Sequence, residues 1–251
     1  RLSALETRMA HYLSASAVSA KNLAEEKDAI KTLIGDISHQ TKTPIANLLL
    51  YAQLLEEQDL PPESREYVSA LEHQAEKLRF LIDALVKTSR LESGVLAMTP
   101  KRHGIQQLLD AASAQAAPGA EAKAITLTVE PTDLTARFDP KWTAEALYNL
   151  VDNAVKYTPA GGAVTLRAVG YELFCRVDVT DTGPGIPESE QARIFQRFYR
   201  SPSASEAEGV GIGLYLARQI AAGQGGYLKV SSRPGEGSTF SLFLPRAEER
   251  T

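Results

Sequence analysis

Asn149-Leu150-Val151-Asp152-Asn153-Ala154-Val155-Lys156-Tyr157 decides how the longer, C-terminal part of this chain is read. It reads as the second half of a helix from Trp142 to Tyr157, entered after Asp139-Pro140. Asn149 and Asn153 lie four apart, so both project from one helix face. Asparagine is a poor mid-helix residue, and two on one face suggest ligands rather than a solvated surface. An amide oxygen suits a hard cation such as Mg²⁺, which takes oxygen ligands and keeps several waters. Lys156 falls about one turn after Asn153, where an ammonium can neutralise phosphate charge.

Around this helix the chain alternates strands and helices. Ile105–Ala117 reads as a helix, and 125–129, 135–138, 163–168 and 173–179 read as strands, with a turn at 169–172. A helix over 211–222 is opened by glycines, and strands 227–232 and 238–244 flank the turn Arg233-Pro234-Gly235-Glu236-Gly237. The sum is an α+β sandwich, one sheet covered by helices. Asp181-Thr182-Gly183-Pro184-Gly185-Ile186 follows an apolar strand. Its carboxylate could accept a hydrogen bond from an exocyclic amine such as adenine N6, and its glycines let backbone approach a ligand closely. Alone it would equally suit an ordinary turn; its place between the paired asparagines and a second glycine loop favours binding. That loop, Gly209-Val210-Gly211-Ile212-Gly213-Leu214, feeds a helix N-terminus, whose free N–H groups and positive dipole end suit phosphate. It is not a dinucleotide fingerprint, because no βαβ unit begins the domain. The Ser/Ala/Glu-rich stretch 199–208 before it is expected to be a lid. Phe195 and Phe198 are expected mainly in the core.

Two long helices precede this region. In the first, Leu23, Ile30, Ile34, Ile37, Leu48, Tyr51 and Leu55 fall on one face; residues 2–13 are expected to prolong it upstream, weakened by the Ala/Ser-rich stretch 14–20. Glu57-Gln58-Asp59-Leu60-Pro61-Pro62 is a turn. The second helix carries Tyr67, Leu71, Ala75, Leu78, Ile82, Leu85 and Leu91. Such a hairpin leaves an apolar stripe uncovered, and a dimer closing a four-helix bundle would cover it. A junction at Ser93-Gly94 is expected to act as a hinge.

The first helix holds Ser38-His39-Gln40-Thr41-Lys42-Thr43-Pro44. Pro44 removes a helical hydrogen bond and bends a helix, and Thr41 and Thr43 are weak helix formers. A local rule broken in this way often marks a functional site. His11, His73 and His103 have no motif around them and are read as surface or helix-face residues.

Composition limits the alternatives. The net charge of -4, with no polybasic arm, argues against nucleic acid as a partner. The single cysteine, Cys175, excludes an internal disulfide framework and reads as a buried strand residue in a reducing cytosol. No run approaches a membrane span. The chain starts at Arg1 without an initiator methionine, so a fragment of a longer protein is expected.

Taken together and in this order, the segments from about Ile30 to Pro245 resemble the cytoplasmic core of a sensor histidine kinase of a two-component system. The resemblance implies three parts: a linker helix over 1–23, a dimerisation and histidine phosphotransfer domain over 24–94, and a catalytic ATP-binding domain of Bergerat type over 95–251. It implies ATP and Mg²⁺ as cofactors, with Asn153 as the metal ligand beside Asn149, and Lys156 and Tyr157 on phosphate and adenine. Asp181, Gly183, Gly185 and Ile186 would hold the base. Phe195, Arg197, Phe198, Tyr199 and Arg200 match the family's aromatic box, which puts Tyr199 at the ATP site and would let either Arg197 or Arg200 reach the γ-phosphate. Gly209, Gly211, Gly213 and Leu214 would cradle phosphates, and Thr239 would touch the adenine side.

His39 would be the phosphoacceptor, and an unperturbed imidazole pKa near ~6.5 leaves its free base populated at neutral pH. Many members carry Glu or Asp where this chain has Gln40. An amide cannot take a proton, but its oxygen can fix the tautomer that exposes Nε2. Thr43 suits placement of a hydrolytic water. The implied partners are a second copy of the chain and a response-regulator receiver domain. The implied location is the cytoplasmic portion of a membrane sensor, attached only through segments outside this chain. Two other readings stand beside this one. A gyrase- or chaperone-type ATPase normally has a glutamate base where Asn149 stands and leaves His39 unexplained. A non-catalytic nucleotide-binding scaffold draws its support from Gln40 alone.

Overall fold

The computed structural model describes residues 2–92, 98–201 and 210–246. The chain divides into two compact units, Arg1–Leu96 and Ala97–Thr251. The expected hinge at Ser93-Gly94 lies outside the described residues.

The first unit is a hairpin of α1 (Leu2–Glu56) and α2 (Pro62–Glu92). α1 runs without a break through 14–20 and past residue 23, so the expected linker helix and the phosphoacceptor helix are one element. It also continues through Pro44. Pro44 brings no N–H to the Gln40 carbonyl, and the Thr41 hydroxyl turns back to donate to the Ile37 carbonyl at 2.6 Å. Pro62 opens α2, where its missing N–H has no intrahelical acceptor to lose.

The hairpin closes on Ile45, Leu49 and Ala52 from α1 and on Val68 and Ala75 from α2, with Ile82 packed alongside. Ile30, Ile37, Leu48, Tyr51 and Leu55, from the apolar face read in the sequence, are 43–60% exposed. The side chain of Leu23 lies outside the described residues. α1 carries two adjacent apolar stripes, and periodicity alone cannot say which one meets the neighbouring helix.

The second unit contains β1 (Lys101–Gly104), α3 (Ile105–Ala122), β2 (Thr126–Val129), β3 (Thr135–Phe138) and α4 (Pro140–Tyr157). β4 (Ala163–Gly170), β5 (Phe174–Asp181), α5 (Glu188–Gln191) and a 3₁₀ turn (Arg193–Phe195) follow. α6 (Gly213–Gly223), β6 (Tyr227–Arg233) and β7 (Gly237–Pro245) complete it. The main sheet has the order β2-β4-β5-β7-β6, parallel between β2 and β4 and antiparallel elsewhere; β1 and β3 form a separate antiparallel pair. α4 packs on the sheet between α3 and α6. Leu147, Leu150 and Val151 of α4 meet Val164, Leu166, Val177, Leu242 and Leu244 of the sheet in a core from which water is excluded. Alternation along β5 and β7 buries one face and leaves the other to Thr180, Thr239 and Ser241.

Several details differ from the sequence reading. β1 has no apolar alternation and was not anticipated. It places His103 on a strand, half-buried, with its ring 5.3 Å from that of Phe138, not on an open surface. α3 passes through Pro118 to Ala122, with Ala116 before the proline and Ala120 beyond it both buried. Cys175 is buried as expected, and burial pushes its thiol up to about 11. No described helix is long and apolar enough to cross a membrane.

Candidate nucleotide site and phosphoacceptor helix

α4 carries the paired asparagines, and its start is fixed by Asp139. One carboxylate oxygen caps the helix by accepting from the Lys141 and Trp142 N–H groups at 3.1 and 3.2 Å. The other accepts from the N–H and hydroxyl of Thr99 at 3.0 and 3.3 Å. Burial works against the Asp139 carboxylate, but these bonds outweigh it and hold the group below the ordinary carboxylate range.

Both asparagine amides are oriented by their own helix. The Asn149 Nδ2 donates to the Glu145 carbonyl and the Asn153 Nδ2 to the Asn149 carbonyl, each at 2.9 Å. The nitrogens are thereby occupied, and each Oδ1 is presented away from the helix backbone. That orientation fits an oxygen-seeking cation. Among the described residues there is no group of three His, Cys, Asp or Glu that could hold a metal. A Mg²⁺ here would rest on an amide oxygen, phosphate oxygens and water, the usual arrangement for that ion.

Asp181 ends β5 and is buried. Its Oδ1 accepts from the Gly183 N–H at 2.8 Å and the Ser238 N–H at 3.3 Å, leaving Oδ2 as the acceptor for a ligand. Burial raises its carboxyl above the ordinary range against the pull of those two bonds. Gly183 and Gly185 are required by space: an added Cβ at Gly183 would lie 2.8 Å from Asp181 Oδ1, and one at Gly185, where φ is +72°, would collide with the Arg233 carbonyl. Ile186 is tied by its N–H to the Ser232 hydroxyl at 2.7 Å.

Gly213 begins α6, and a Cβ there would stand 2.9 Å from Asn149 Oδ1, so the α6 N-terminus lies directly against Asn149. Leu214 is half-buried in its first turn. Gly211 sits at φ +74°, pressed against the Tyr199 carbonyl. Gly209 and lid residues 202–208 lie outside the described residues.

The structure separates the two arginines left open by the sequence. Arg197 donates to the Tyr215 hydroxyl at 3.0 Å and lies over that ring, on the α6 side. Arg200 is close enough to Tyr157 to oppose the rise that burial imposes on the Tyr157 hydroxyl. Tyr199 packs under the Arg193 guanidinium, and its buried hydroxyl has no hydrogen-bond partner among the described residues. Phe195 is in the core, edge-on to Phe240. Phe198 is not: it is 57% exposed with φ +60°, a conformation that brings its N–H to the Gly211 carbonyl at 2.9 Å.

Thr239 is not brought to the pocket. Its hydroxyl meets that of Thr180 at 3.0 Å on the open sheet face. Ser238, one residue earlier and buried, is the one beside Asp181. Strand alternation could have identified it: with Phe240 inward, Ser238 faces inward and Thr239 outward.

On α1, the His39 backbone is helical; its side chain lies outside the described residues. Gln40 and Thr43 are exposed. Lys42 pairs with Asp83 of α2 at 2.9 Å, tying the two helices together near this level.

Comparison with known proteins agrees with this division. Residues 29–94 match the His Kinase A (phospho-acceptor) domain, and residues 138–248 match the histidine kinase-, DNA gyrase B- and HSP90-like ATPase domain. The chain belongs to the sensor histidine kinases of two-component systems. Among its relatives, sensor protein DivL of Caulobacter vibrioides is 34% identical over 239 residues, covering 94% of this chain and 31% of that protein. Sensor protein GacS of Pseudomonas syringae pv. syringae is 31% identical over 242 residues, covering 92% and 27%. The crystal structure of full-length ShkA in complex with AMPPNP superposes with a TM-score of 0.72 at 30% identity, over 87% of this chain and 46% of that one. The chain thus spans about a third or less of the curated relatives named here.

Proposed function

We propose that this chain is the catalytic core of an ATP-dependent protein-histidine kinase that phosphorylates His39 and passes the phosphoryl group to an aspartate of a response-regulator receiver domain. Reversal on the regulator, with Thr43 placing a water, belongs to the same reading. The observation that carries it is the pairing of an amide oxygen turned outward from α4 at Asn153 with the buried, backbone-held acceptor at Asp181. Asp181 Oδ2 accepts from the adenine amine, with Tyr157 beside the base. Lys156 and Arg200 carry the phosphate end, and the Gly211–Gly213 loop offers N–H groups. Asn153 would hold a bound Mg²⁺, which would supply charge neutralisation on the phosphate oxygens. His39 Nε2 attacks the γ-phosphorus, the bond to the β-phosphate oxygen breaks, and ADP leaves. Gln40 accepts from Nδ1–H and keeps the tautomer with a free Nε2. The working unit is a homodimer, within the cytoplasmic part of a membrane sensor.

Incubation with γ-labelled Mg-ATP tests this on the wild-type chain, His39→Gln and Asn153→Ala. Acid-labile, alkali-stable label in the wild type alone is expected. Label that persists in His39→Gln would overturn the assignment of the acceptor. ATP binding without label in the wild type would favour the scaffold reading that Gln40 supports.

A further inference from the structure

We propose that Lys123 is a positioning residue for the nucleotide's phosphate end, acting through the last turn of α4. The inference rests on the nucleotide-site reading above. Lys123 lies far from α4 in sequence, in the turn between α3 and β2, and is half-buried. Its Nζ donates to the carbonyls of Val155 at 2.9 Å and Lys156 at 2.8 Å. Those are among the last carbonyls of α4, which no later helical N–H can reach. The Ala154 carbonyl, in the same turn, is taken by the N–H and hydroxyl of Thr158 at 3.0 and 2.6 Å.

The Lys123 backbone is held too. Its N–H donates to the Ala120 carbonyl at 3.2 Å and its carbonyl accepts from the Gly161 N–H at 3.0 Å. The ammonium is therefore delivered from a fixed point. There it fixes the backbone of Lys156, and with it the point from which the Lys156 side chain leaves the helix. The α4 sequence alone carries no sign of this, because the donor comes from another element.

Lys123→Met keeps the stem and removes the donors; Lys123→Arg can still reach two carbonyls. The measurement is the Kd for Mg-ATP and for adenosine, with thermal unfolding alongside, in the wild type, both Lys123 variants, Lys156→Ala and the Lys123→Met/Lys156→Ala double variant. Loss of a charged donor predicts that Lys123→Met weakens Mg-ATP by about tenfold, adenosine by much less, and that Lys123→Arg recovers most of the loss. In the Lys156→Ala background Lys123→Met should add little, since the residue it positions is gone. Equal factors in both backgrounds, or a lowered Tm with unchanged Mg-ATP affinity, would make Lys123 merely structural and overturn the inference. A wild-type chain that binds no Mg-ATP overturns the nucleotide reading and this inference with it. Binding equally strong in wild type and Lys123→Met overturns the inference alone.

Discussion

Asp181 shows how one side chain can be both held and available. Two backbone N–H groups hold one oxygen and fix the carboxylate, which leaves the other oxygen as the acceptor in the proposed nucleotide site. Burial raises its folded-state pKa above the ordinary 3.8. A raised value contributes stability that is full below the unfolded pKa and is lost as pH rises through the folded one. Adenine recognition needs the ionised acceptor, so nucleotide affinity runs the other way, falling as pH drops through that raised value. Asp181→Asn removes both dependences. One amide nitrogen must then face either the two N–H groups or the adenine amine, so ATP affinity should fall by about tenfold or more and lose its acid limb, as titration calorimetry across pH would show. A retained acid limb would place the dependence on another group. Gln40 gives a second prediction at this scale. Gln40→Glu supplies a proton acceptor where the amide only orients, and the initial rate of His39 labelling should rise. A fall or no change would refute a purely orienting role.

α4 is the element on which the site depends, and both of its ends are fixed from a distance. Asp139→Ala removes the N-cap and leaves Thr99 without its acceptor; a loss of about 1–2 kcal/mol in urea unfolding is expected. Gly213→Ala separates stability from function. Alanine favours a helix by about 1 kcal/mol over glycine, yet its Cβ would press on Asn149 Oδ1 at 2.9 Å. Weakened Mg-ATP binding with little change in unfolding midpoint is expected; unchanged binding would free Asn149 from any role. The motifs on α4, at Asp181 and at Gly211–Gly213 were legible because each breaks a local rule of helix or loop composition, and broken rules are visible in one sequence. Other features were not. β1 pairs only with a strand some thirty residues later, and nothing in Lys101-Arg102-His103-Gly104 signals that pairing. Ser238 and Thr239 both carry hydroxyls, and only the strand register assigns them to opposite faces. Phe198 was expected inside because it is aromatic, but the turn that carries its N–H to Gly211 turns the ring out.

In the whole molecule, the two units solve the burial problem differently. The second covers its sheet with its own helices, whereas the first leaves Leu48, Tyr51 and Leu55 of α1 and Leu71, Leu78 and Leu85 of α2 at 42–64% exposure. Leu71, Leu78 and Leu85 repeat every seven residues, and Leu48 and Leu55 share that spacing, the signature of helices that pack lengthwise. Each such side chain contributes about 1.5–3 kcal/mol when fully buried, so stripes repeated along both helices favour self-association over solvation. A two-fold dimer satisfies this economically, because every stripe meets its own copy or its partner helix. Leu48→Glu combined with Leu71→Glu would set charges into that seam in both copies without touching the Ile45–Leu49–Ala75 contact that closes the hairpin. Light scattering should then give a monomer, circular dichroism should retain most of the helix, and the Kd for Mg-ATP should be unchanged, because the nucleotide residues belong entirely to the second unit. A variant that stays dimeric would move the interface to another surface. One that loses ATP binding as it becomes monomeric would mean that the nucleotide site depends on assembly of the bundle, a coupling that the two separately packed cores give no reason to expect.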